Sequence, residues 1–318
     1  MLAALAALAA IAAWRALGQG GPAPVLPAPC RLDVALAVPR LEAAPILLAG
    51  PVRRPRATAC RLRLVTGAKA RGASLALVAG DAWAGERPSP LLPFLLIAQR
   101  AGALLVSRTP VAPHFLWHGT AERVLLLPAG SGDLGSTVVR AMLSLHAVKG
   151  AAVLRGLGTA AFAAGSGDYL ELPLWSAEEV LARGGAHFAT DLAIQGGPLP
   201  AAVLAASPAL AGRDPALLDA VAAAVAAAVV ELHDHPEAMA ARWPGRLPRA
   251  ARRTLARALS RARYEHLWAT DPRLDRSLFV RLDVLRRAAG ESAFTPPVIL
   301  AGPAESALRR LALPHTAG

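Results

Sequence analysis

The sequence predicts an α/β protein made of two successive units, each a mostly parallel sheet covered by helices. Three observations carry this reading. The chain has 318 residues, 54% of them apolar, which is enough for two cores of ordinary size. Runs rich in Val and Leu alternate with helix-like segments from residue 31 to about 205, the rhythm of βαβ units. That rhythm restarts at Arg123, and beyond Pro215 it gives way to helix alone.

In the first unit, residues 32–38 are expected as a strand and 41–48 as a short helix with Pro45 near its start. Residues 61–65 alternate Arg with apolar side chains, as a half-buried strand does. A buried strand over 75–78 ends at Gly80 and Asp81. Residues 90–101 are read as a helix, with Ser89 as N-cap and Pro90 at the first helical position, before a strand over 103–107. The second unit has strands at 123–127, 152–154 and 169–172, helices over 137–147 and 178–183, and a returning strand at 201–205. Helices over 216–233, 236–242, 248–268 and 275–289 complete the chain, with Gly290 as a C-cap.

Composition narrows the function. Charged residues are 18%, too few for a disordered chain with this apolar content. The net charge is +12, which attracts anions, but the excess is scattered Arg. With aromatics at 4%, nucleic-acid binding is not expected. The densest basic run, 246–263, reads as one exposed helix face opposite Leu255 and Leu259. The two cysteines, Cys30 and Cys60, form no CxxC; each precedes a strand, leaving either a disulfide or two free thiols. Residues 2–13 are an unbroken Ala/Leu/Ile run followed by a Gly/Pro-rich segment up to Pro29. The run is too short to span a bilayer and matches the apolar region of an export signal, so residues 1–29 are expected as a signal-like segment and linker. Cys30 follows Pro-Ala-Pro, a poor lipoprotein box, so no lipid anchor is expected.

The order of motifs resembles the nitrate/sulfonate/thiamine-precursor type of periplasmic solute-binding proteins. The matching points are Ala44, Pro45 and Ala49 after the first strand, Gly80 with Asp81, and a strand followed by Pro128, Gly130, Ser131 and Gly132 before a helix. Asp168 with Glu171 and Pro173, the Pro198 and Pro200 segment before a returning strand, and His235, Pro236 and Glu237 continue the series. Leu267, Trp268, Asp271 and Pro272 close it. The usual Gly-rich stretch before the second strand is replaced here by residues 51–55. The resemblance implies a type 2 periplasmic binding protein fold, two lobes joined by two hinge strands. It places the crossings near 105–110 and 197–202, with residues 30–106 and 200–318 as lobe one and 107–199 as lobe two. It further implies an extracytoplasmic receptor of an ABC importer, a monomer that meets the membrane only through a permease and its ATPase.

Solutes of open α/β sheets bind at strand carboxyl ends, where helix N-termini favour anions. Ser131, Gly132, Ser136 and Thr137 are the leading candidates on that ground. This is no phosphate-binding P-loop, because the Gly-Lys-Ser/Thr ending is missing. Glu171 and Trp175 follow a strand end in the second unit; Arg40, Trp83, Arg87 and Ser89 are their counterparts in the first, with Ser107 and Arg108 as similar candidates at the hinge. Enzymatic signatures are thin. His114 and His118 have helical spacing without the Glu of HExxH, and no Gly-x-Ser-x-Gly elbow occurs. No cofactor, metal or catalytic residue is expected. The runner-up is a cytoplasmic enzyme of menaquinone or thiamine-pyrimidine synthesis on the same fold, and a third reading is a sensor domain. The expected solute is small and anionic or heteroaromatic, the charge pointing to an anion.

Overall fold

In the computed structural model the described residues are 30–36, 41–53, 59–66, 70, 73–84, 89–112, 116–128, 134–293 and 295–312. The signal-like segment 1–29, and Arg40, Arg87, His114, Ser131 and Gly132, lie outside them. The strands are β1 (Arg31–Leu36), β2 (Arg61–Val65), β3 (Leu75–Val78), β4 (Leu92–Ala98), β5 (Ala103–Ser107), β6 (Val124–Leu127), β7 (Ala152–Arg155), β8 (Tyr169–Pro173), β9 (His187–Asp191) and β10 (Ala202–Ala206). They form two five-stranded sheets, ordered β2-β1-β3-β10-β4 and β7-β6-β8-β5-β9. β1 runs parallel to β2 and β3, and β6 to β7 and β8. β10 is antiparallel to both its neighbours, and so is β5. The two sheets therefore repeat one plan, and in each the antiparallel strand is the one the chain makes immediately after leaving the other sheet.

That plan corrects the expected crossings. All of β5 pairs with β8 and β9, so the outward crossing lies at residues 99–102, before the 105–110 expected. β5 and β10 are buried along their whole length, as central strands covered on both faces must be. The expected helix over 90–101 is also corrected. β4 pairs with β10 on one side, and on the other its Leu96 N–H donates to the Pro272 carbonyl while its Ile97 carbonyl accepts from the Ala269 N–H. Leu92–Ala98 is an apolar run buried at six of its seven positions, and such a run cannot be told from a buried helix by periodicity. Pro90 and Ser89 tipped the reading the wrong way. β9, with Phe188 its one large apolar residue, was missed because it lacks strand alternation.

The helices are α1 (Ala44–Leu48), α2 (Leu134–Leu145), α3 (Thr159–Ala163), α4 (Leu174–Ala182), α5 (Leu192–Gly196), α6 (Pro208–Arg213), α7 (Pro215–Asp234), α8 (Pro236–Arg242), α9 (Arg249–Tyr264), α10 (Arg276–Ala288) and α11 (Gly302–Ala312). α7 is long and apolar enough to cross a membrane, but it packs against α1, α8 and α11 as a core helix. α11 was not anticipated. Residues 200–318, expected with the first sheet, supply β10 to it and pack α11 against its β4, but two of their helices also reach the second sheet's side. α9 packs on α4, and α10 on α2, while the buried Phe279 of α10 reaches the other way, into the core of the first sheet. The first sheet's core holds Trp83, Leu96, Val203, Ala205 and Phe279. Both cysteines are disulfide-bonded.

Candidate functional site

The carboxyl ends of β3 and β8 and the start of α2 after β6 converge where the two crossings meet. From the first sheet come Glu42, in a short turn after β1, and Asp81, in the turn Gly80–Trp83 after β3. From the second come Glu171 of β8 and the opening turns of α2. Between them lies a cavity of about 10 Å³, lined by Glu42, Gly102, Gly135, Glu171 and Ala201 among others, room for about one water. Lining residues come from both crossings and both sheet sides.

Two of the anticipated α2 residues are in this cleft and already engaged. Ser136 donates its hydroxyl to Glu171 Oε2 at 3.1 Å. Thr137 donates to Glu291 Oε1 at 2.9 Å. Glu171 is fully buried, and it lies so close to the start of α2 that a Cβ on Gly135 would stand 2.5 Å from its Oε1 and 2.8 Å from the Ala103 Cβ. Close approach of helix and strand at this point requires glycine.

The groups that the sequence reading missed complete the cleft. Glu291 Oε1 also pairs with Arg140 of α2, its Oε2 pairs with Arg286 of α10 at 2.7 Å, and Arg286 reaches Asp81 at 3.8 Å. Arg140 further donates to the Ala289 carbonyl at 2.8 Å. Glu291 is aimed by the end of α10. Gly290 has φ +74°, its N–H donates to the Arg287 carbonyl, and the Glu291 N–H donates to the Arg286 carbonyl, the paired bonds of a Schellman cap. Only Gly290 as C-cap was legible; that the next residue serves the cleft depends on how α10 packs across α2.

The other anticipated residues are placed elsewhere. Trp83 is 5% exposed in the first sheet's core, donates to the Leu91 carbonyl at 3.0 Å and packs edge-on to Phe279. Ser89 accepts from the Leu91 N–H at 3.3 Å in the turn into β4, not at a helix N-terminus. Trp175 is half-buried on α4, edge-on to Trp243 with centroids 5.7 Å apart. Ser107 donates to the Thr109 carbonyl, and Arg108 to the carbonyls of Phe162, Ser166 and Gly167, so both serve the structure of the second sheet's far end. A larger cavity of about 380 Å³ there is lined by Arg123, Asp168 and Tyr169, at the strands' amino ends. Among the described residues no group of three or more His, Cys, Asp or Glu could hold a metal ion.

A second charged cluster joins α9 to the second sheet. Glu178 of α4 accepts from Arg261 of α9 at 2.6 Å, with Arg257 at 3.6 Å. Glu265, beyond the end of α9, is 1% exposed. Burial first, then the neighbouring Asp191 carboxylate, push it up to about 10, against the opposing pull of Arg261.

These features define a fold of the periplasmic-binding-protein type: two like sheets, two crossings, and a cleft at the strand carboxyl ends. The solved structures that it resembles include binding components of ABC importers. One is the periplasmic sulfonate-binding protein SsuA from Methylobacillus flagellatus KT, at TM-score 0.64 and 12% identity over 90% of this chain and 96% of that one. Another is a ligand-binding component of an ABC-type import system from Staphylococcus aureus with zinc bound, at TM-score 0.63 and 10% identity over 87% and 99%. The desulfurization enzyme DSZB, as a cysteine-to-serine variant in complex with biphenyl-2-sulfinic acid, matches at TM-score 0.58 and 16% identity over 88% and 99%. No protein-family model and no curated protein sequence matches the chain.

Proposed function

We propose that the chain is the extracytoplasmic solute-binding receptor of an ABC importer, exported through its N-terminal segment and delivering one small solute to a permease and its ATPase. The observation that carries this reading is the cleft. Polar groups of both sheet sides meet at the strand carboxyl ends, between two crossings that can act as hinges. A solute bridging Glu42 or Asp81 with Ser136 or Glu171 would favour the closed form, because it touches both sides only there. In this reading lobe one carries the first sheet, lobe two carries the second, and the C-terminal helices straddle them. Thermal-shift screening with nitrate, sulfonates, taurine, pyrimidines and aromatic carboxylates tests it. One compound raising the melting temperature with dose, and losing that effect in Ser136→Ala, supports a receptor.

The likeness to DSZB keeps an enzyme as the second reading. Against it stands the disulfide state of the two cysteines, which leaves no free thiol as a nucleophile. No shift with any compound, together with turnover of a sulfinate or a biosynthetic precursor, would replace the receptor by the enzyme.

A further inference from the structure

The cleft already holds an anion, and it belongs to the chain. We propose that Glu291 occupies the seat of the solute's own charged group, and that the solute which displaces it carries a carboxylate. The inference rests on the receptor reading and assigns the chemistry of that site.

The seat is built for two oxygens. Arg140 and the Thr137 hydroxyl serve Glu291 Oε1, and Arg286 serves Oε2, one guanidinium on each oxygen of a planar group. The Arg140 and Arg286 side chains are only 19% and 12% exposed. Two cations so far removed from water require an anion in place whether or not a solute is present. Glu291 supplies it from beyond the Gly290 cap, outside α10, so rotation of its side chain is enough to vacate the seat without unwinding a helix. Arg140 also keeps its Nε–H buried and without an acceptor, a donor that Glu291 does not use and a second solute oxygen could. The position is right for a solute, because Thr137 and Arg140 lie in the first two turns of the helix after β6 while Asp81, against Arg286, follows β3.

Charge matching follows from this geometry. The seat neutralises one negative charge, and Glu42, Glu171 and Asp81 around the cleft oppose a second. A monocarboxylate repeats the exchange that Glu291 makes, whereas a tetrahedral sulfonate presents a third oxygen to a seat with two cations. While Glu291 is seated the apparent affinity is lowered by the fraction of molecules whose seat is open.

Acetate and methanesulfonate, titrated calorimetrically into the full chain, test the proposal. Glu291→Ala is expected to bind acetate at least about tenfold more tightly than wild type does, to prefer it to methanesulfonate, and to lose the gain when Arg140→Gln is added. A folded Glu291→Ala with no gain, an equal gain for methanesulfonate, or a gain that survives Arg140→Gln would overturn it. Glu291→Gln, isosteric and uncharged, repeats the measurement should the Ala variant fold poorly; a smaller gain in the same direction supports the seat, and none overturns it. The two readings fail separately: a wild type that binds nothing in the solute panel sinks the receptor, while the acetate titration of the variants decides the seat.

Discussion

Gly135 shows how one side chain, or the lack of one, fixes the cleft. The residue opens α2 against Glu171 and Ala103, with no space for a methyl group. The carboxylate could shift a little; Ala103 is held in β5 by β8 and β9. Gly135→Ala is therefore expected to cost about 1–3 kcal/mol, read as a lower midpoint of urea unfolding. It should also separate Ser136 from Glu171, so solute affinity should fall with stability. In the sequence nothing sets Gly135 apart, and Ser136 and Thr137 read as anion donors at a helix start. What the sequence could not display is that Glu171 and Glu291, 35 and 154 residues away, accept both hydroxyls.

At the scale of elements, α9 and α10 are the informative pair. Both are amphipathic in the sequence, and each reads as a helix lying on the first sheet. In the structure α10 ends in a Schellman cap whose Gly290 has open space around it, so Gly290→Ala meets only the conformational penalty of a left-handed backbone, about 1–2 kcal/mol. Because Glu291 follows directly, that substitution should also loosen the Glu291 seat and shift acetate binding. α9 is tied differently, through Arg261 to the buried Glu178. Arg261→Ala leaves that carboxylate with the more distant Arg257, and a loss of about 2–3 kcal/mol is expected, below the roughly 3–5 kcal/mol for breaking a fully buried pair because Arg261 is partly exposed. A double-mutant cycle with Glu178→Gln measures how much of it belongs to the pair.

For the whole molecule the telling quantity is stability against pH. Glu265 has its ordinary value near 4.5 when unfolded and about 10 in the fold. The fold therefore favours the protonated acid, and this contribution is complete below about 4.5 and is lost as pH rises towards 10. Wild type should lose stability between about pH 5 and about pH 9, while Glu265→Gln, which mimics the neutral acid, should lose less. Melting temperatures of both across that window check it; parallel curves would show that Glu265 does not carry the dependence. The titration is expected where α9 meets Asp191 of the second sheet, at the docking of the C-terminal helices.

The sequence by itself determined the α/β class, the two repeated units, most strand positions and the helical C-terminal third, because these follow from local periodicity and from Pro and Gly punctuation. Ser136, Thr137 and Glu171 were also nameable as candidates, the two hydroxyls from their place at a helix start and Glu171 from the family resemblance, since it lies within β8 and not after its end. Only the tertiary structure decided that the apolar run of β4 is a strand, because two flanking segments bond to it, and that the outward crossing comes before β5. Only the tertiary structure assembled Arg140, Arg286, Asp81 and Glu291. Each sits on a different turn or helix, only Asp81 is marked by a local pattern, the Gly80–Asp81 pair after a strand, and a shared charge balance exists only once α10 lies across α2.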